Sequence, residues 1–353
     1  MSLLEDFRED FLLRPLPDLW PILAPSKPPA STWRMVEPMA NSEGVDALIP
    51  DEDRRIFTNH VYRGQYQLPC DATERDRLDI MHQLFKVARG KERRLLNAPF
   101  QASTGSAPGD RQRILDLGCG TGIWLLDIAE VYPEAECVGV DLHQMGPPAL
   151  LTNVTLRANT DYETPWSLGE RSWDLIHLQC ALGSVSSWEQ LYFKVTQSLK
   201  PETGWFESVE IDLTPRCDDG SLQPGMLSQW YEYITQVYTV LSRPIVYNEN
   251  TGAELEKAGF RDIRHERYLL PLNGWPLDRK DHTAGMWYNI ALSAGENKTG
   301  GFGMEAISLA PLTRVFNWPV EHARQLCEDA LQQASDPNVK VYNWLHVWSA
   351  RAP

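Results

Sequence analysis

Seven consecutive residues, Asp116-Leu117-Gly118-Cys119-Gly120-Thr121-Gly122, carry the most specific chemical signal in the chain. They follow a short apolar run, Arg113 to Leu117, and precede an apolar helical pattern from Ile123 to Val131. Glycines at such a junction permit a tight turn and close approach of a ligand. The helix N-terminus behind them offers N–H groups to a carboxylate or phosphate. The spacing separates two kinds of nucleotide ligand. A dinucleotide loop of the form G-x-G-x-x-G needs its third glycine at position 123, where Ile123 stands. The third glycine is instead Gly122, and Asp116 lies two residues ahead of the first. Asp141 ends a second apolar run, Glu136 to Val140, 19 residues after Gly122, where a carboxylate can accept hydroxyl protons from a ribose. Asp161-Tyr162 follows a third run and is placed for the edge and face of a base; Gln179-Cys180 ends a fourth. Plainer readings stand beside these. Asp141 is also a turn cap, Asp161-Tyr162 a polar loop, Cys180 a small packing residue, and His177 a satisfied core histidine.

The elements that must position these residues alternate. Strand patterns at Arg113–Leu117, Glu136–Val140, Val154–Ala158, Trp173–Gln179 and Trp205–Leu213 are interleaved with helical ones at Ile123–Val131 and Trp188–Leu199. That alternation predicts a parallel, doubly wound sheet. Ahead of it, Asp71 followed by Glu74 has capping-box spacing. Leu78, Met81, Leu84 and Phe85 then form one apolar stripe of a helix, on which Tyr66 and His82 are candidates to face a ligand. Behind it come a helix at Leu227–Leu241 and strands at Phe260–Leu270 and Val341–Ala350, with a helical insertion between those strands. The aromatics of the Leu227–Leu241 helix, Trp230, Tyr231, Tyr233 and Tyr238, read as core more readily than as a pocket. Residues 98–110 and Gly295–Gly303 read as loops. Residues 1–60 form a proline-rich arm, 61–105 a helical cap, and 106–353 the main domain. Eight of the 25 prolines fall in the first 50 residues, with Trp20 and Trp33 interspersed, which makes the arm a candidate docking segment.

Composition narrows the class. Forty-eight acidic against 33 basic side chains give a formal charge of −15, a field that repels phosphate backbones and anionic lipid. Direct nucleic-acid or membrane binding is therefore not expected. Six cysteines at long, irregular separations, with no C-x-x-C, argue for a reducing compartment and against a zinc site. The N-terminal residues carry neither a secretory nor a transit pattern, so the reading is intracellular.

The D-x-G-x-G-x-G form resembles the signature of class I S-adenosylmethionine (SAM) methyltransferases. The wider pattern is similar to the fungal LaeA type, the methyltransferase-like regulators of secondary metabolism that work with velvet-domain proteins. The matching stretches include Tyr62-Arg-Gly-Gln-Tyr66, Arg77-Leu-Asp-Ile80, Tyr132-Pro-Glu-Ala135, Trp173 to Gln179, Val209-Glu-Ile-Asp212 and Tyr342-Asn-Trp-Leu-His346, covering roughly residues 60 to 353. The resemblance implies an α/β class I methyltransferase (Rossmann-like) fold: a seven-stranded sheet with a helical N-terminal cap and a C-terminal helical insertion. It implies SAM as cofactor, held by Asp116, Gly118, Gly120, Gly122, Asp141, Leu142, Asp161, Tyr162, Gln179 and Cys180, with the last two near the methyl sulfonium. It also implies a velvet-type protein partner and a nuclear and cytoplasmic location. Two alternatives stay open: a biosynthetic methyltransferase acting on a small metabolite, and a SAM-binding scaffold with weak turnover. No general base is assigned, and a Cys180 thiol beside the sulfonium is a candidate for self-methylation.

Overall fold

The computed structural model describes residues 66–90, 95–101, 111–147, 149–293 and 302–353, together with three short strands, β1 (Trp33–Met35), β2 (Ile49–Pro50) and β3 (Ile56–Phe57). The rest of the proline-rich arm, most of the loop read at 98–110 and residues 295–301 of the later loop lie outside the described residues. The arm nevertheless touches the domain: β1 pairs antiparallel with β6 (Ala149–Leu151).

Asp71 starts the first helix, α1 (Ala72–Ala88), by accepting the Glu74 N–H on its side chain at 2.9 Å. That satisfies one orphan donor of the first turn. The apolar stripe then buries Met81, Leu84 and Phe85, while Leu78 is only partly covered. The α/β alternation follows in order: β4 (Arg113–Leu117), α2 (Ile123–Val131), β5 (Glu136–Val140), β6, β7 (Val154–Arg157), β8 (Leu175–Gln179), α3 (Trp188–Ser198) and β9 (Trp205–Arg216). The remaining elements are α4 (Met226–Val240), α5 (Thr251–Lys257), β10 (Arg261–Pro271), α6 (Arg279–Ser293), α7 (Phe302–Arg314), α8 (Val320–Ser335) and β11 (Tyr342–Arg351).

Seven strands form one sheet in the order β10-β11-β9-β8-β4-β5-β7. The pairs from β7 to β9 are parallel, and β9–β11 and β11–β10 are antiparallel. Parallel strands covered on both faces need near-continuous apolar sequence, and Ile114, Leu115, Leu117, Leu175 and Ile176 are all fully buried. Chain order reverses across β4, since its two neighbours are β5 and β8. Ligands of open α/β sheets bind at the carboxyl ends of strands beside such a reversal. The architecture is the expected Rossmann-like methyltransferase sheet with its helical insertion, α6 to α8, between β10 and β11. Helices α1, α4, α6, α7 and α8 share one apolar core on that side.

Many element ends shift by one to three residues from the sequence reading, and three departures have a clear cause. The fourth strand begins at Leu175, because Trp173 makes only an isolated bridge to Leu199. β6 and α5, three and seven residues long, are too short to show a period. Gly303 belongs to α7 rather than to a loop. A Cβ there would lie 1.9 Å from the Ala291 carbonyl oxygen, so this glycine lets two helices touch.

Candidate functional site

The glycine loop holds its own shape. Gly118 and Cys119 donate their N–H groups to the Val140 carbonyl at 2.9 and 3.0 Å, and Gly122 donates to Cys119 at 2.8 Å. The Gly120 N–H is accepted by the Asp141 carboxylate at 2.9 Å. These four amides belong to the turn itself, ahead of the helix N-terminus that begins at Ile123. They are committed inside the protein, and the loop offers a wall. Gly120 has φ +54°, and a Cβ on it would stand 3.2 Å from Leu78 Cδ1 of α1. A Cβ on Gly118, φ +68°, would stand 3.3 Å from Tyr162 Cε1. The loop thus runs between α1 and the Tyr162 ring with room for backbone only. Gly122, φ +77°, is the N-cap of α2 and does not line the cavity.

Nine of the ten residues expected to hold the cofactor do line it. Two adjoining depressions, about 590 and 1310 Å³ counted out to open solvent, share Tyr66, Gly118, Asp141, Gln179 and Cys180. The smaller adds Leu142, Asp161, Tyr162 and Arg243; the larger adds Asp116 and reaches Arg77, Glu210, Tyr238 and Tyr288. Asp141 Oδ1 also accepts the His143 N–H at 3.0 Å, so each oxygen has one backbone donor and one lone pair left. Burial raises the Asp141 carboxyl above its usual range, and the two N–H donors oppose that rise. Asp161 Oδ1 accepts the Glu163 N–H at 2.7 Å, which shapes the turn carrying Tyr162. Glu163 is paired with Arg243.

Asp116 is directed under the loop. Its Oδ1 shares a 2.9 Å hydrogen bond with Nδ1 of His177, whose ring stacks on Trp124 at 3.6 Å. Burial pushes His177 down to about 3 and Asp116 well up. His177 is buried in the core as expected but only half satisfied: Nδ1 is bonded, Nε2 has no hydrogen-bond partner, and the ring also contributes to the cavity wall. His82 does not face the cavity. Its Nε2 meets Asp127 Oδ2 at 2.8 Å, and Lys86 meets the same oxygen at 2.6 Å, tying α1 to α2. Tyr66, on the approach to α1, does reach it.

Cys180 follows β8 in a left-handed backbone conformation, φ +55°. Burial raises its pKa, and the nearby Glu210 raises it further. A thiol held protonated is a poor nucleophile, which weighs against self-methylation at Cys180. Of the four late-helix aromatics, Tyr238 alone lines the cavity; Trp230 bonds Ser308, Tyr231 bonds Thr214 and Tyr233 packs on Trp318. The sequence reading assigned no site role to Arg77, Glu210 or Tyr288. Arg77 holds Glu74 with two hydrogen bonds, 2.7 and 2.9 Å, on the cavity wall. Arg77-Leu-Asp-Ile80 and Val209-Glu-Ile-Asp212 carried the signal as family motifs without pointing to a cavity.

A cavity at the strand ends, a glycine wall admitting backbone only and a carboxylate with lone pairs to offer fit an adenosyl ligand. The family described as Methyltransferase domain matches residues 80–265. The chain is 44% identical over 293 residues to the secondary metabolism regulator LAE1 of Cochliobolus heterostrophus, covering 82% of this chain and 91% of that one. It is 45% identical to the secondary metabolism regulator laeA of Aspergillus fumigatus, covering 84% and 75%. It is 42% identical to the protein-methionine methyltransferase laeA of Emericella nidulans, covering 90% and 80%. Among solved structures, a phosphoethanolamine N-methyltransferase of Haemonchus contortus aligns with TM-score 0.38 at 15% identity, covering 79% of this chain and 60% of that one.

Proposed function

Since this chain belongs to the LaeA family of fungal secondary-metabolism regulators and carries its methyltransferase domain, we propose how its cavity divides the work. SAM is the cofactor, and it supplies an electrophilic methyl group on a sulfonium. Asp141 accepts from the ribose hydroxyls, and Leu142, Asp161 and Tyr162 enclose the adenine. Gly118 and Gly120 let the backbone approach, and the acceptor lies beyond Cys180, among Tyr66, Tyr238 and Tyr288. The carrying observation is the placement of Asp141: one carboxylate braces the glycine loop and faces the cavity with its remaining lone pairs.

The acceptor we propose is a methionine thioether in a protein, as the name of the Emericella nidulans relative states for that enzyme. A thioether sulfur attacks with its lone pair and loses no proton, so the walls need orient it and exclude water, not deprotonate it. Burial raises the Tyr238 and Tyr288 phenols, which fits walls that remain uncharged. The protein acts in the nucleus, and from the cytoplasm, in complex with a velvet-type partner that docks outside the α/β core, with the proline-rich arm as favoured surface.

Native extract incubated with methyl-labelled SAM and the protein tests the acceptor. Label in methionine residues of the protein fraction is expected; label in the organic-soluble fraction supports a small-metabolite enzyme and overturns the thioether. Co-purification with and without residues 1–50 tests the partner. Loss of a velvet-type protein with SAM affinity kept is expected, and loss of SAM affinity makes the arm part of the site instead.

A further inference from the structure

Glu210 lies inside β9 with 5% of its surface exposed, on the cavity wall beside Gln179 and Cys180. Its Oε1 accepts the Ala181 N–H at 2.9 Å and its Oε2 the Leu182 N–H at 3.1 Å. Those amides follow the left-handed Cys180, so the carboxylate fills a concavity of successive backbone donors. Each oxygen keeps a second lone pair. What Glu210 lacks is a counter-charge. The comparably buried Glu74, Glu207 and Asp212 lie against Arg77 at 2.7 Å, Arg89 at 3.5 Å and Arg216 at 2.6 Å. Among the described residues, the partners of Glu210 are two backbone amides, and no lysine, arginine or histidine reaches ion-pair distance. A buried anion in that state is costly until a cation meets it.

We propose that Glu210 is the counter-charge by which the cavity distinguishes SAM, a sulfonium cation, from its neutral product S-adenosylhomocysteine. The proposal rests on the cofactor assignment above. The two ligands differ by one methyl group and one positive charge, so a carboxylate near the sulfur favours the reactant and weakens the hold on the product. Burial pushes the Glu210 carboxyl up to about 8, as an anion without a counter-charge requires. The thiol, phenols and imidazole around it are shifted away from that value. The Cys180 thiol and the Tyr162 and Tyr192 phenols are raised by burial, and Glu210 raises each further. His346, directly opposite on β11, is pushed down to about 4 by burial and by His265 and stays neutral. Arg77 is neutralised by Glu74, and Asp212 by Arg216. Asp116 and Asp141 line the same cavity from β4 and β5 and are raised by burial; both are retained in Glu210→Gln, so any titration of theirs is read there too.

The sign follows. Below about pH 8 the empty site holds a proton on Glu210 that SAM must displace. SAM affinity therefore rises with pH and levels above that value, and S-adenosylhomocysteine affinity does not follow it. Calorimetry with both ligands, on the full chain and on Glu210→Gln, reads the effect between pH 6 and 9. A loss of about tenfold or more for SAM, as expected of an opposite charge in contact, with the S-adenosylhomocysteine affinity unchanged, supports the proposal. Equal losses for both ligands leave Glu210 as a brace of the turn and overturn it, as does no loss at all. If the unsubstituted protein binds neither ligand, the cofactor assignment fails instead. Glutamine cannot accept both amides, so a wild-type series is the second measurement. It uses 5′-methylthioadenosine and its S-methyl sulfonium, which lack the titratable α-amino group of the methionine moiety. A sulfonium preference that stays flat toward pH 8 overturns the proposal.

Discussion

Asp141 shows how much one side chain can hold. Its two oxygens fasten the Gly120 and His143 amides while facing the cavity. Asp141→Ala removes a ribose acceptor and leaves the Gly120 N–H facing nothing. Calorimetry should show SAM and S-adenosylhomocysteine weakened together, by about 1–3 kcal/mol. That parallel loss contrasts with the selective one expected at Glu210. Gly120→Val meets a different obstacle: a β-branched residue at φ +54° with its Cβ 3.2 Å from Leu78. The folded variant should give no thermal shift with SAM; a normal shift would remove the loop from the site. Cys180 should remain unmodified in a digest after incubation with labelled SAM, because burial and Glu210 raise its thiol. These residues were legible because strand-end acids and glycines announce themselves by spacing. Glu210 and Tyr288 were not, since a residue inside a long strand or a distant helix reaches a cavity only through packing.

The element that most controls the site is α1. It meets the glycine loop through Leu78 over Gly120 and through Asp79, whose Oδ1 accepts the Thr121 hydroxyl at 2.7 Å. Burial raises Asp79 to about 6, with the Thr121 hydrogen bond opposing the rise. A carboxyl raised on folding favours the native state below its unfolded pKa, and that contribution is lost as pH climbs through about 6. Asp79→Asn keeps an acceptor for Thr121 without the charge. It should stabilise the protein by about 1–3 kcal/mol at pH 8 and by nearly nothing at pH 4, read by denaturant titration. A gain independent of pH would show that charge burial is not the cause. The sequence announced α1 by its cap and stripe, but not how it docks. The His82, Lys86 and Asp127 junction pairs residues more than 40 positions apart, which no local period encodes.

For the whole molecule, ligand binding and folding are one equilibrium. At a hundredfold excess over its dissociation constant, SAM adds about 2.7 kcal/mol. For a cooperative chain of this length that is a rise of about 3–4 °C in melting temperature. NAD should produce none, and equal shifts would mean the glycine spacing has been misread. The sheet itself was legible as alternating strands and helices, yet its antiparallel half was not. Nothing local reveals that β11, latest in sequence, is inserted between β9 and β10 rather than added at an edge. That position sets a timetable for biosynthesis. The strand bearing Glu210 gains its second neighbour only when residues 342–351 have cleared the ribosome, long after the glycine loop has emerged. A nascent chain therefore carries the nucleotide half of the site before the wall beside Cys180 is complete.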